Sequence, residues 1–163
     1  MHPGFYQFQK LATNPVLFRL FLLKNLPAAF FAGLRLRQFD EHHCMVSVSY
    51  KWFNRNPFRS VYFAIQSMAA ELSTGVLAMA QVYHRKPVLS LLVVRIEATF
   101  VKKATGRIYF TCNDGKAISE AADKALASGG ASVVQCRSAG RDRDGELIAE
   151  CIITWSFKKK QRS

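Results

Sequence analysis

Asn56–Pro87, NPFRSVYFAIQSMAAELSTGVLAMAQVYHRKP, is the stretch on which the fold turns. Its spacing predicts one long, mostly buried helix. Val61, Ile65, Met68, Leu72, Val76, Met79 and Tyr83 recur every three or four residues and draw one apolar face. Asn56 is a candidate N-cap, and Pro57 suits the first helical position, where its missing N–H is not needed. Ser60 is a second candidate cap, with 56–59 then forming a turn. A narrower stripe of small and polar residues runs beside the apolar face through Ser60, Ala64, Ser67, Glu71, Thr74, Ala78 and Gln81. His84, Arg85 and Lys86 complement the C-terminal dipole, and Pro87 stops the helix. Glu71 is the only formal charge between Arg59 and Arg85, His84 aside. A carboxylate there must be solvated, protonated or hydrogen-bonded, because a bare buried charge is unfavourable. The structural account of Glu71 is a bond to Ser67, Thr74 or a buried water.

A helix apolar on most faces needs cover on most sides, and the flanking sequence supplies strands. Leu34–Arg37 alternates, 40–42 turns, and Cys44, Val46, Val48, Tyr50 and Trp52 form one face of a strand. The paired His42 and His43 read as a solvated turn. Beyond the helix, Leu92, Val94, Ile96, Ala98 and Phe100 point one way and Arg95, Glu97 and Thr99 the other. Residues 107–112 alternate, Asp114 caps a helix over 115–126 that ends at Gly129-Gly130, and 131–138 is a strand. Asp144-Gly145 makes a hairpin tip. Leu147, Ala149, Cys151, Ile153, Trp155 and Phe157 line the core face of the last strand, and 158–162 is a basic solvated tail. Upstream, 1–12 is a loose lead-in, and Asn14-Pro15 opens a helix over Val16 to about Asn25 that Pro27 breaks. Cover for this apolar segment is expected from the domain or a partner subunit rather than a membrane surface. The order is helix, two strands, long helix, two strands, short helix, two strands. A curved antiparallel sheet wrapped round the long helix buries it.

The whole chain, 163 residues, is expected to be one domain: lead-in and first helix over 1–33, core over 34–157, tail over 158–163. Half of it is hydrophobic and 13 residues are Phe, which excludes a disordered segment. Net charge +12 favours acidic partners: nucleic acid, anionic lipid or a phosphorylated molecule such as coenzyme A. Cys44, Cys112, Cys136 and Cys151 show no metal spacing and read as reduced core thiols of a cytoplasmic protein. No metal is expected.

The pattern resembles the hotdog fold of the α+β class, in its thioesterase-like branch, which includes a group catalogued as a domain of unknown function. Asn56, Ser60, Tyr62, Ala64, Glu71 and Gly75 stand where that branch carries an Asn, Gly or Ser, a His, small residues, an acid and a Gly. Glu71 follows Tyr62 by nine residues, the branch's spacing between His and carboxylate. Tyr62-Phe63-Ala64 replaces the usual His-Gly-Gly. The resemblance implies a thioester hydrolase in which Glu71 acts as general base or nucleophile and Asn56 orients water or carbonyl. It implies that the Phe63 backbone N–H meets the oxyanion and that Thr74 holds Glu71 or its water. Ser60, Tyr62, Ala64, Ser67 and Arg59 then line the substrate, with Arg59, Arg95, Lys102 and Lys103 as candidates for the phosphates of coenzyme A. It also implies a homodimer or dimer of dimers with sites between subunits, and no cofactor beyond the coenzyme A of the substrate. The expected partner is acyl-CoA or acyl-carrier protein. The alternatives are a non-catalytic acyl- or CoA-binding protein and a nucleic-acid-binding protein. Only the charge supports the last, since the basic residues are scattered and no recognition motif occurs, so neither nucleic acid nor membrane is expected as a partner.

Overall fold

Three helices precede the sheet in the computed structural model, which describes residues 2–160. They are α1 (Pro3–Thr13), α2 (Pro15–Asn25) and α3 (Pro27–Ala32). The expected loose lead-in is therefore a helix. Phe5, Phe8 and Ala12 share one side of α1 and are buried, and Phe8 packs on Tyr83 with ring centroids 5.2 Å apart. α2 begins as its sequence predicts: Asn14 Oδ1 accepts from the N–H groups of Val16 (3.0 Å) and Leu17 (3.1 Å).

The strands are β1 (Arg35–Phe39) and β2 (Cys44–Ser49), then, after a 3₁₀ turn (Trp52–Asn54) and α4 (Phe63–Val82), β3 (Leu89–Phe100) and β4 (Arg107–Cys112). α5 (Gly115–Ser128), β5 (Ala131–Arg141) and β6 (Leu147–Lys159) complete the described residues. All pairings are antiparallel, in the order β1-β2-β4-β5-β6-β3. The sheet curves round α4, the arrangement that the helix's all-round apolar character requires. Leu72, Val76 and Leu77 of α4 join Val46, Phe110, Ile153 and Phe157 of the sheet in one buried cluster. The four cysteines are buried free thiols.

Four expectations are corrected. The central helix starts at Phe63, not near Asn56. The backbone before it is committed elsewhere: Tyr62 N–H donates to Asn54 O (2.7 Å) and Val61 N–H to Ala104 O (2.8 Å). It also ends sooner. Tyr83 is the C-cap and His84 to Lys86 lie outside, although Arg85 still reaches Gln81 O (3.3 Å). β2 stops at Ser49, and Trp52 is 76% exposed. On β3 the buried or half-buried residues are Leu89, Ser90, Leu91 and Val93, whereas Leu92, Val94, Ile96, Ala98 and Phe100 are exposed. β3 is an edge strand with an irregular register between Val93 and Arg95, and its far half has little above either face. Finally, Lys158 and Lys159 belong to β6, paired with Ser90 and Leu89. The rest of the expected tail, 161–163, lies outside the described residues.

Candidate active site

The chemistry-bearing residues of α4 fall into two groups, one at its N-terminus and one in its middle. Helix starts leave N–H groups without intrahelical partners. Phe63 is the first helical residue, and among the described residues its N–H meets no acceptor. The N-terminal end of the helix dipole lies there, so the group suits an anion or a developing oxyanion.

Asn56 shapes the turn in front of this site. Its Oδ1 accepts from Phe58 N–H (3.0 Å), Ser60 N–H (3.1 Å) and Ser60 Oγ (3.2 Å). Asn56 therefore caps no helix, and its carbonyl oxygen is fully used. Ser60, 7% exposed, serves the same turn. Arg59 adopts a left-handed φ of 59° with its side chain exposed. A cleft of about 420 Å³ opens beside the helix start, lined by Phe58, Ser60, Phe63, Gln66, Phe100 and Lys103 among others. The buried Oε1 of Gln66 has no hydrogen-bond partner, while its Nε2 donates to Val61 O (2.9 Å). Tyr62 and Phe63 are exposed at the mouth, their ring centroids 4.8 Å apart, and Phe63 lies 6.1 Å from Phe100. Ala64 is half-buried on the first turn.

Glu71 lies eight residues beyond Phe63, roughly 12 Å along the axis. Burial pushes its carboxyl up to about 7. No hydrogen bond or ion pair reaches its carboxylate among the described residues. Ser67 and Thr74 do not hold it: Ser67 Oγ donates to Phe63 O (3.0 Å), and Thr74 Oγ1 donates to the Glu71 carbonyl (2.9 Å) and accepts from Trp155 Nε1 (2.9 Å). The roles expected of Thr74 and Ser67 at the carboxylate are thus replaced by backbone bonds. Gly75 makes room for Glu71, since a Cβ there would sit 3.1 Å from Glu71 Oε1 and 3.3 Å from the Trp155 ring. Trp155 and Gln66 went unremarked as site residues. Gln66 was detectable as an amide inside an apolar helix, whereas Trp155 comes from a strand 81 residues away from Thr74.

Of the basic residues proposed for phosphate, Arg95 pairs with Glu97 (3.1 Å) and Lys102 with Glu146. Arg59 and Lys103 form no ion pair among the described residues. Arg55 and Arg59 line a second cleft, of about 400 Å³, on the other side of the Asn56 turn.

Residues 16–157 match the family described as "Domain of unknown function (DUF4442)". No functionally curated protein matches the sequence. Among solved structures, a Pseudomonas aeruginosa protein described as a probable thioesterase is 20% identical, with TM-score 0.75 over 90% of this chain and 97% of that one. A Chlorobaculum tepidum protein of unknown function is 13% identical, with TM-score 0.73 over 91% and 99%. A thioesterase from Haemophilus influenzae is 12% identical, with TM-score 0.61 over 86% and 88%. The likeness is one of fold, the hotdog fold that the sequence pattern resembles.

Proposed function

The chain belongs to the DUF4442 family, and from that premise we propose that it hydrolyses acyl thioesters carried on coenzyme A or acyl-carrier protein, with Glu71 as general base or nucleophile. The observation that carries this reading is the Glu71 carboxylate: the only charge on α4, half-buried, with no protein donor among the described residues, and held near a neutral-pH titration by burial. The names of the Pseudomonas and Haemophilus proteins point the same way.

As base, Glu71 takes a proton from water as the oxygen attacks the thioester carbonyl. The Phe63 N–H donates to the developing oxyanion, the C–S bond breaks, and the departing thiolate recovers the proton from Glu71. As nucleophile, the carboxylate would form an acyl anhydride that water then cleaves. A thiol-release assay over a panel of acyl-CoA chain lengths tests the activity. A second reading rests on the exposed Phe63 ring at the mouth, where the branch has Gly. It makes the chain a non-catalytic acyl- or CoA-binding protein, and binding without thiol release would select it.

Phe63 and Glu71 of one chain are too far apart to touch one thioester carbonyl. A two-fold partner with its own α4 running antiparallel would supply the missing half. The free edge of β3, with Leu92, Val94 and Ile96 exposed, is suited to pairing with a second copy, since long apolar edges are otherwise prone to non-specific association. Light scattering is expected to give a dimer or a dimer of dimers at micromolar concentration. A monomer that still hydrolyses thioesters overturns the shared site.

Arg59 and Lys103 are the cations left for the coenzyme A phosphates. Replacing both by Ala is expected to raise KM for acyl-CoA at least about tenfold at low salt, with little change in kcat. A KM insensitive both to salt and to the double substitution removes this role.

A further inference from the structure

α2 is apolar on nearly all sides, yet the domain covers only one of them. Phe18 and Leu22 are buried, while Val16, Leu17, Leu20 and Leu23 face outward, Leu20 57% exposed. Close by, the exposed Phe31 of α3 is followed across the 3₁₀ turn by exposed Trp52 and Phe53. Cations knit these pieces together. Arg19 lies 3.7 Å over the Phe30 ring and donates to Phe30 O (3.2 Å), and Lys51 Nζ donates to Phe31 O (3.1 Å). Residues 1–39 contain five Lys or Arg and no Asp or Glu. Arg19, Lys24, Arg35 and Lys51 form no ion pair among the described residues. Burial, then repulsion from Arg35, lowers the Arg19 pKa, and burial, then Arg19 and Arg35, lowers that of Lys51. An anionic surface would relieve that repulsion.

We propose that the face formed by α2, α3 and the 3₁₀ turn docks on an anionic phospholipid bilayer, with Leu20, Leu23, Phe31 and Trp52 entering the interface and Arg19, Lys24, Arg35 and Lys51 meeting headgroup phosphates. Leucine and aromatic side chains beside a cluster of cations are the chemistry of interfacial helices. A second copy of the chain fits the same face less well. A two-fold contact would set these cations against their own duplicates, and the carboxylates nearest in sequence, Asp40 and Glu41, are engaged by His43 and His42. The β3 edge available to a second copy is at the opposite end of the sheet from β1, on which α1 packs. The sequence alone favoured cover by the domain or a subunit. The outward side chains and the unpaired cations shift the choice to lipid.

Vesicles test this with the full chain. Sedimentation with vesicles of equimolar phosphatidylcholine and phosphatidylglycerol is expected to exceed that with phosphatidylcholine alone at least about tenfold in partition coefficient, and to weaken with salt. Trp52 is a built-in reporter, because Trp155, the other tryptophan, is already buried. Its emission should shift to the blue and become resistant to acrylamide on anionic vesicles. Lys24→Glu should lower partitioning at least about fivefold, and Leu20→Ser with Leu23→Ser at least about tenfold. These are exposed positions, so melting curves should be unchanged. Equal partitioning to both vesicle types, or a Trp52 still open to quencher on anionic vesicles, overturns the proposal without any variant. A Leu20→Ser, Leu23→Ser protein that loses an oligomeric state in light scattering and partitions like wild type gives the face to a second copy, which also overturns it.

Discussion

Replacing Glu71 by Gln is expected to lower kcat for thioester hydrolysis by at least about 100-fold, the low end for a positioned acid–base group, while leaving the fold intact. The amide keeps the shape of the side chain and removes the base or nucleophile. Because burial raises the carboxyl to about 7, the wild-type kcat/KM should climb with pH to a midpoint near 7 and then level off. The variant's residual rate should lack that limb. A Glu71→Gln protein that hydrolyses thioesters at the wild-type rate ends the catalytic assignment, whatever else the helix does.

The same substitution has a stability signature of definite sign. The carboxyl titrates at about 7 when folded against an ordinary 4.5, so the folded chain holds its proton more tightly. The stability that the neutral form contributes is complete below the ordinary value and disappears as pH rises through 7. The ionised carboxylate therefore penalises the fold by on the order of 3 kcal/mol at alkaline pH. Glu71→Gln should gain stability over wild type at pH 8 and little at pH 4. At roughly 2–4 °C per kcal/mol for a chain of this size, thermal melts at the two pH values resolve it. Glu71→Leu should likewise be neutral or stabilising. A carboxylate kept for structure would give the reverse, a loss on Gln substitution.

Periodicity made the fold legible because its two repeat lengths are consequences of backbone geometry. The alternation of β4 and β6 survives in the structure nearly as read, whereas the apolar stripe of α4 is not its most buried face: Ile65, Met68 and Met79 are half-buried, and Thr74, Ala78 and Gln81 of the small, polar stripe are buried. What failed was local competition for polar groups. Asn56-Pro57 has the chemistry of a helix start, yet the Asn56 side chain is consumed by the Phe58 and Ser60 N–H groups, and the helix opens one and a half turns later. Alternation on β3 reads as a strand, yet its apolar set Leu92, Val94, Ile96, Ala98 and Phe100 is exposed, because no periodicity tells an edge strand from a central one. The lead-in failed for a simpler reason: Phe5, Phe8 and Ala12 at helical spacing form only a short stripe, whose cover, Tyr83 and Phe39, comes from distant sequence. At the candidate site, Glu71 stood out by its charge, its place on the small, polar stripe and its spacing from Tyr62. The partners assigned to it did not hold, since Ser67 and Thr74 reach backbone carbonyls one turn away more readily than a side chain.

Phe63→Pro is expected to cost 10²- to 10³-fold in kcat, about the loss of one oxyanion donor. Proline is tolerated as the first residue of a helix, and Tyr62 before it already has φ −58° and ψ 135°, the region a following proline demands. The substitution thus deletes the N–H with the helix preserved. Phe63→Ala, which keeps the N–H and opens the mouth, should retain activity and isolates the ring from the donor. The pair of inactive proteins then tests where the site lies. In a mixed dimer of Glu71→Gln and Phe63→Pro subunits, one site combines both defects. The other combines an intact Glu71 with an intact Phe63 N–H. Random exchange should therefore restore roughly a quarter of the wild-type sites, from a mixture whose parents are each nearly silent. If both groups served a site within one chain, every site in the mixture would lack one of them and no activity would return. That outcome would refute the two-fold arrangement, and it would leave roughly 12 Å of helix between base and donor without a bridge.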